Sequence, residues 1–78
     1  PNPFNTETTF RFFLPVWERV WLKVFDLGGR EVSTISLPQV RQGFNDVTFE
    51  ARHLPSGTYL VKLDGETETV GKKITLIK

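Results

Sequence analysis

The sequence predicts an all-β domain of two packed antiparallel sheets, and three observations carry that expectation. Apolar and polar residues alternate with period two along most of the chain, as strands with one buried face require. Turn-forming residues interrupt the alternation at short intervals, and no stretch keeps helical spacing. The apolar residues are strand-favouring: seven Phe, two Trp and one Tyr stand among many Val, Ile and Leu. At 78 residues the chain makes one domain, residues 1–78, of a size that buries only about 60% of its unfolded surface. Cysteine and methionine are both absent, so neither a disulfide nor a thiolate metal site staples it. A thin apolar core has to carry the stability.

The first clear strand runs from Thr8 to Leu14, with Phe10, Phe12 and Leu14 on one face and Arg11 and Phe13 on the other. From Val20 to Asp26, the residues Val20, Leu22 and Val24 share a face against Trp21, Lys23 and Phe25. Asp26-Leu27-Gly28-Gly29 then supplies a turn, because Asp accepts backbone N–H bonds and Gly permits positive φ. A shorter strand follows from Arg30 to about Leu37, and the polar stretch Pro38 to Gly43 reads as a loop. Phe44 to Glu50 is the next strand, with Asn45, Val47 and Phe49 on one face. After a corner at Leu54-Pro55-Ser56-Gly57, the strand Thr58 to Asp64 points Tyr59, Val61 and Leu63 one way. Gly65-Glu66 turns the chain into a last strand from about Thr67 to Lys78, where Gly71 suggests a bulge or bend. A short edge segment near Phe4 brings the total to about seven strands. The expected core is Phe10, Phe12, Leu22, Val24, Val47, Phe49, Tyr59, Val61, Ile74 and Leu76, with Leu14, Val32 and Leu54 next in rank.

Leu54-Pro55-Ser56-Gly57-Thr58-Tyr59 resembles the tyrosine corner of immunoglobulin-like sandwiches, in which the Tyr hydroxyl bonds back to the backbone a few residues upstream. Such a role is structural.

Composition and motif content argue against several functions. The formal net charge is +1 with acids and bases interspersed, which leaves no basic stripe for nucleic acid. No apolar run approaches the roughly 20 residues of a membrane-spanning helix. His53 is the one histidine, so no cluster of metal ligands forms around it and no metal or other cofactor is expected. Ser33, Ser36 and Ser56 lack the strained turn of a hydrolase nucleophile, and Gly28-Gly29 leads into a strand where a phosphate loop needs a helix. The acids lie about one per strand or turn, in a domain too small to hold a sugar in a cleft between two of them. The chain reads as non-enzymatic. It opens Pro-Asn-Pro-Phe with no charged start or apolar stretch, so it reads as a piece of a longer protein whose remainder lies upstream.

Blocks of sequence then line up in order: Pro1-Asn2-Pro3-Phe4-Asn5, Leu22 to Val32 around Asp26-Leu27-Gly28-Gly29-Arg30, Leu54 to Leu63, and Gly71 to Lys78. Together they resemble the C-terminal sorting domain of the type IX (Por) secretion system, a pattern similar to the Ig-like domain of the flagellar hook-capping protein. The resemblance covers essentially the whole chain. It implies an Ig-like antiparallel β-sandwich of about seven strands, joined to an upstream cargo domain. It further implies that the cargo travels through the periplasm and the outer-membrane translocon to the cell surface or the medium. A surface sortase-like protease that removes the domain is implied as a further partner.

Matched by position, the recognition residues would be Pro1, Asn2, Pro3 and Phe4, then Asp26, Gly29 and Arg30, then Leu54, Pro55, Gly57 and Tyr59, and finally Lys72, Lys73 and Lys78. Two departures stand out. Val16-Trp17-Glu18-Arg19 replaces the polar, Gly-containing hairpin of the family and exposes Trp17, and Phe49-Glu50-Ala51 replaces its Trp-Asp-Gly. Trp17 and Trp21 keep an alternative open, a carbohydrate-binding accessory module, since exposed aromatics stack on sugar rings. A plain Ig-like spacer is the other alternative.

Overall fold

The computed structural model describes residues 7–76, apart from the side chain of Lys72. Pro1, Asn2, Pro3, Phe4, Ile77 and Lys78 therefore lie outside the described residues, and the edge segment expected near Phe4 lies there with them. The described strands are β1 (Glu7–Leu14), β2 (Val20–Asp26), β3 (Glu31–Ser36), β4 (Gly43–Glu50), β5 (Gly57–Gly65) and β6 (Thr69–Leu76). They form two antiparallel sheets: β1 with β4, and a four-stranded sheet in the order β3-β2-β5-β6. The all-β sandwich expected from the alternation is the fold.

The inward faces are the ones the alternation assigns. Phe10 and Phe49 from the smaller sheet meet Leu22, Val24, Tyr59, Val61 and Ile74 from the larger, all buried. Phe49, Leu22, Val24 and Val61 are the largest side chains that are fully enclosed. Phe12 and Val47, expected in the core, also pack against it but stay half-buried. The loop after β3 is less polar in role than in composition. Val40 dips into the core, and the loop is fastened by the buried Asn45. The Asn45 carboxamide accepts the Arg41 N–H at 2.9 Å and donates to the carbonyls of Arg41 at 2.8 Å and Gly43 at 3.2 Å. That satisfies a polar group at an inward position, where an unpaired amide would cost about 1–3 kcal/mol.

Two expectations about β6 need correction. No bulge forms at Gly71, which pairs with Lys62 in an unbroken register between Val61–Lys72 and Leu63–Val70. Gly71 instead faces Leu60, whose Cδ1 lies 3.7 Å from where a Cβ would stand. The register shift falls between Val24 and Phe25, opposite β3. The strand also starts at Thr69 rather than Thr67, because Thr67 is used to hold Glu18, its N–H donating at 3.0 Å and its hydroxyl at 2.7 Å.

Alternating strand directions give the sandwich two poles. The β2–β3 turn, the β4–β5 corner, Glu7 at the start of β1 and Leu76 at the end of β6 share one pole. At the other stand the β1–β2 connection, the β3–β4 loop and the β5–β6 turn.

Candidate recognition surface

At the first pole two of the sequence blocks meet. Asp26 pairs with Tyr59 across β2 and β5, and Tyr59 pairs with Ile74 across β5 and β6. One row of the sheet thus carries the first turn, the corner and the terminal strand. The corner itself is closed as expected, with the Tyr59 hydroxyl donating to the Pro55 carbonyl at 2.7 Å. Tyr59 and Leu54 are both buried, and Leu54 N–H donates to the Ala51 carbonyl at 3.0 Å. Leu54 plugs the end of the core while Pro55 and Ser56 carry the chain outside it.

Asp26 organises the facing turn. Its carboxylate accepts the Arg30 backbone N–H at 2.9 Å and the Arg30 Nε–H at 3.2 Å. Its carbonyl accepts the Gly29 N–H at 3.0 Å. Gly29 sits at φ +86°, where an L-residue costs about 1–2 kcal/mol, so glycine is the residue that closes this loop without strain. The backbone bond from Arg30, with help from the guanidinium charge, holds the Asp26 carboxyl below the usual carboxylate range. The Arg30 side chain is itself 81% exposed. Anchored at Nε, its guanidinium is presented outward with donors to spare, a geometry suited to carboxylates and other planar acceptors.

Between turn and corner lies an open cavity of about 450 Å³ lined by Asp26, Arg30, Val32, His53, Pro55 and Tyr59 among others. His53 is exposed and its ring meets the edge of Phe49 at 6.3 Å. Among the described residues no group of three or more His, Cys, Asp or Glu could hold a metal. The arrangement is equipped to grip a partner through charge and shape.

Asp26, Gly29, Arg30, Leu54, Pro55, Gly57 and Tyr59 are thus gathered at one pole. Lys73 stands one row further in, on the outer face of the large sheet, opposite Leu60. Of its neighbours there, Lys23 and Phe25 stand on the face that the alternation of β2 assigns them, whereas Lys62 was not picked out from the sequence. In β2 and β5 the outward residues include Phe25, Lys62 and Lys23. Lys62 lies over the Phe25 ring at 5.1 Å, and Lys23 pairs with Asp64 at 3.1 Å. Reading the outward half of each alternation with the same care as the inward half would have found this basic, aromatic face. Lys72 pairs with Val61 in register, and its side chain lies outside the description. Pro1, Asn2, Pro3, Phe4 and Lys78 lie outside it altogether. The two tryptophans do not belong to the pole. Trp21 is half-buried on the outer face, paired with Ser36 and Asp64, and Trp17 is exposed at the opposite pole, as the sequence predicts.

Compared with known proteins, residues 1–78 match the family described as the secretion system C-terminal sorting domain. Neither a curated protein nor a solved structure matches the chain.

Proposed function

Because the chain belongs to the secretion system C-terminal sorting domain family, and so serves as the signal that directs an attached cargo through the type IX translocon, we propose where that signal is read. The translocon grips the pole formed by the Asp26–Arg30 turn and the Leu54–Tyr59 corner, together with the adjoining outer face around Lys73. The observation that carries this reading is the shared row Asp26–Tyr59–Ile74, which brings motif blocks distant in sequence side by side. Asp26 and Tyr59 are committed to internal bonds, so they shape the surface. Arg30 and Lys73 are the groups left to make contact.

The domain works by recognition and performs no reaction of its own. Its cargo would cross the periplasm and reach the cell surface or the medium, where a sortase-like protease would separate the two. The test is a reporter bearing a signal peptide upstream of this chain, expressed in a host that has the translocon. Arg30→Glu should lower the melting temperature of the isolated chain by no more than about 8 °C, since exposed ion pairs contribute at most about 1 kcal/mol. It should also strand the reporter in the periplasm. Normal export of a folded Arg30→Glu fusion would move the recognition surface elsewhere, and unimpaired export of every surface variant would make the domain a spacer.

A further inference from the structure

The pole opposite the motif residues is built as a groove. The connection between β1 and β2, residues 15–19, and the β5–β6 turn flank an open cavity of about 570 Å³, within the size range of ligand sites. Leu14, Val20 and Leu63, all buried, lie beneath it. Its walls are apolar and exposed: Phe13 at 53%, Val16 at 71%, Trp17 at 54% and Val70 at 55%. Leaving four large apolar side chains together in water is a feature soluble domains usually reserve for a partner.

The groove is held open by Glu18. Its carboxylate takes both donors of Thr67, the N–H at 3.0 Å and the hydroxyl at 2.7 Å, and these bonds hold the group below its usual range. The link ties residues 15–19 to the β5–β6 turn across 49 positions of sequence. Gly65 makes the approach possible, since a Cβ there would collide with the Glu18 carboxylate.

Charge and backbone indicate what fits. Glu18, Glu66 and Glu68 line the groove, and among the described residues the one cation in its lining is Arg11. Arg11 is already engaged, with Nε 3.5 Å from Asp46 Oδ1 and its guanidinium 4.8 Å from the centre of the Phe44 ring. The rim is therefore acidic in a molecule whose net charge is +1. Val70 sits near the start of β6, an edge strand that among the described residues pairs only with β5, and a free strand edge accepts an extended chain. A sugar is a poorer match, because the acid beside Trp17 is spent on Thr67 and so cannot hydrogen-bond a sugar stacked on that ring. Both Glu7 and Leu76, the first and last described residues, lie at the far pole.

We propose that this groove docks an extended segment of a partner protein that alternates apolar side chains and carries lysine or arginine at its flanks. The site is separate from the motif pole, and its test needs no translocon. A Trp21→Phe chain leaves Trp17 as the reporting fluorophore. A heptapeptide alternating leucine and serine, with lysine at both ends, should shift and saturate that emission. The same peptide with glutamate ends should bind about tenfold more weakly. Glu66→Lys with Glu68→Lys should reverse that order while the melting curve is kept. Equal affinity for the two peptides, no shift up to about 1 mM, or a shift produced by a linear hexasaccharide and by neither peptide would each overturn the proposal.

Discussion

The Tyr59 hydroxyl is the smallest group whose removal this fold should register. It donates to the Pro55 carbonyl at 2.7 Å beside a ring that is 6% exposed. Tyr59→Phe keeps the ring and orphans the carbonyl, so denaturant melting should show a loss of about 1 kcal/mol with export of a fused reporter unchanged. Asp26 makes a different prediction. Hydrogen bonding to Arg30 lowers its folded-state pKa below the unfolded value. The stability it contributes is therefore complete above the unfolded value, and is lost as the pH falls from there through the folded one. Asp26→Asn should lower stability at neutral pH, and the gap to the parent chain should close in acid. A gap that stays constant from neutral pH into acid would mean that the charge is irrelevant to the turn. Both residues were legible in the sequence, since a Leu-Pro-x-Gly-x-Tyr corner and an Asp-x-x-Gly turn are local chemistry. Asn45 was legible as an inward position, yet its role was not. Its partners, Arg41 and Gly43, become partners only once the loop has folded back.

At the scale of the element, the sequence located every described strand, and alternation gave the inward face of each but β3, for which none was assigned. The failures were at the start of β6 and at Gly71. A glycine inside a strand signals either a bulge or a close neighbour, and only the sheet order, which puts Leu60 against Gly71, decides between them. Likewise the late start of β6 follows from a contact between Glu18 and Thr67 that no local pattern reveals. The strand still behaves as an edge strand should. Ile74 and Leu76 anchor it in the core while Lys73 and Thr75 face outward, and exposed lysines discourage unwanted pairing. Lys73→Gln should shift the melting temperature by no more than a few degrees. If Lys73 contributes to recognition, the reporter fusion should nonetheless be retained in the periplasm. Export at the parental rate would leave Lys73 with edge protection as its whole task.

For the whole molecule, the two poles predict independence. Tyr59→Phe acts at the corner, and Glu18→Gln acts on the strap at the opposite end of a body 37 Å along its longest axis. Sites so far apart and sharing no partner add to within about 0.5 kcal/mol. The double variant should therefore lose the sum of the single losses. A larger discrepancy in denaturant melts would reveal a coupling through the thin core. That the sandwich has two differently built ends could not be read from sequence, because the groove is made of residues 13–17 and 63–70, which meet only through the crossing from one sheet to the other.

The placement of Glu7 and Leu76 at one pole also sets how the domain answers to force. The inter-strand bonds of an antiparallel pair lie perpendicular to the strands. When the domain is held at the groove and drawn by a chain leaving from Glu7, the pull runs along β1, and the bonds to β4 from Glu7–Glu50 to Leu14–Gly43 are loaded together. When it is held through Leu76 and drawn from Glu7, the two ends part sideways and the bonds open one at a time. The same sandwich is thus tough under the first load and yielding under the second, so the point at which a machine grasps it decides whether the label stays folded while its cargo is moved.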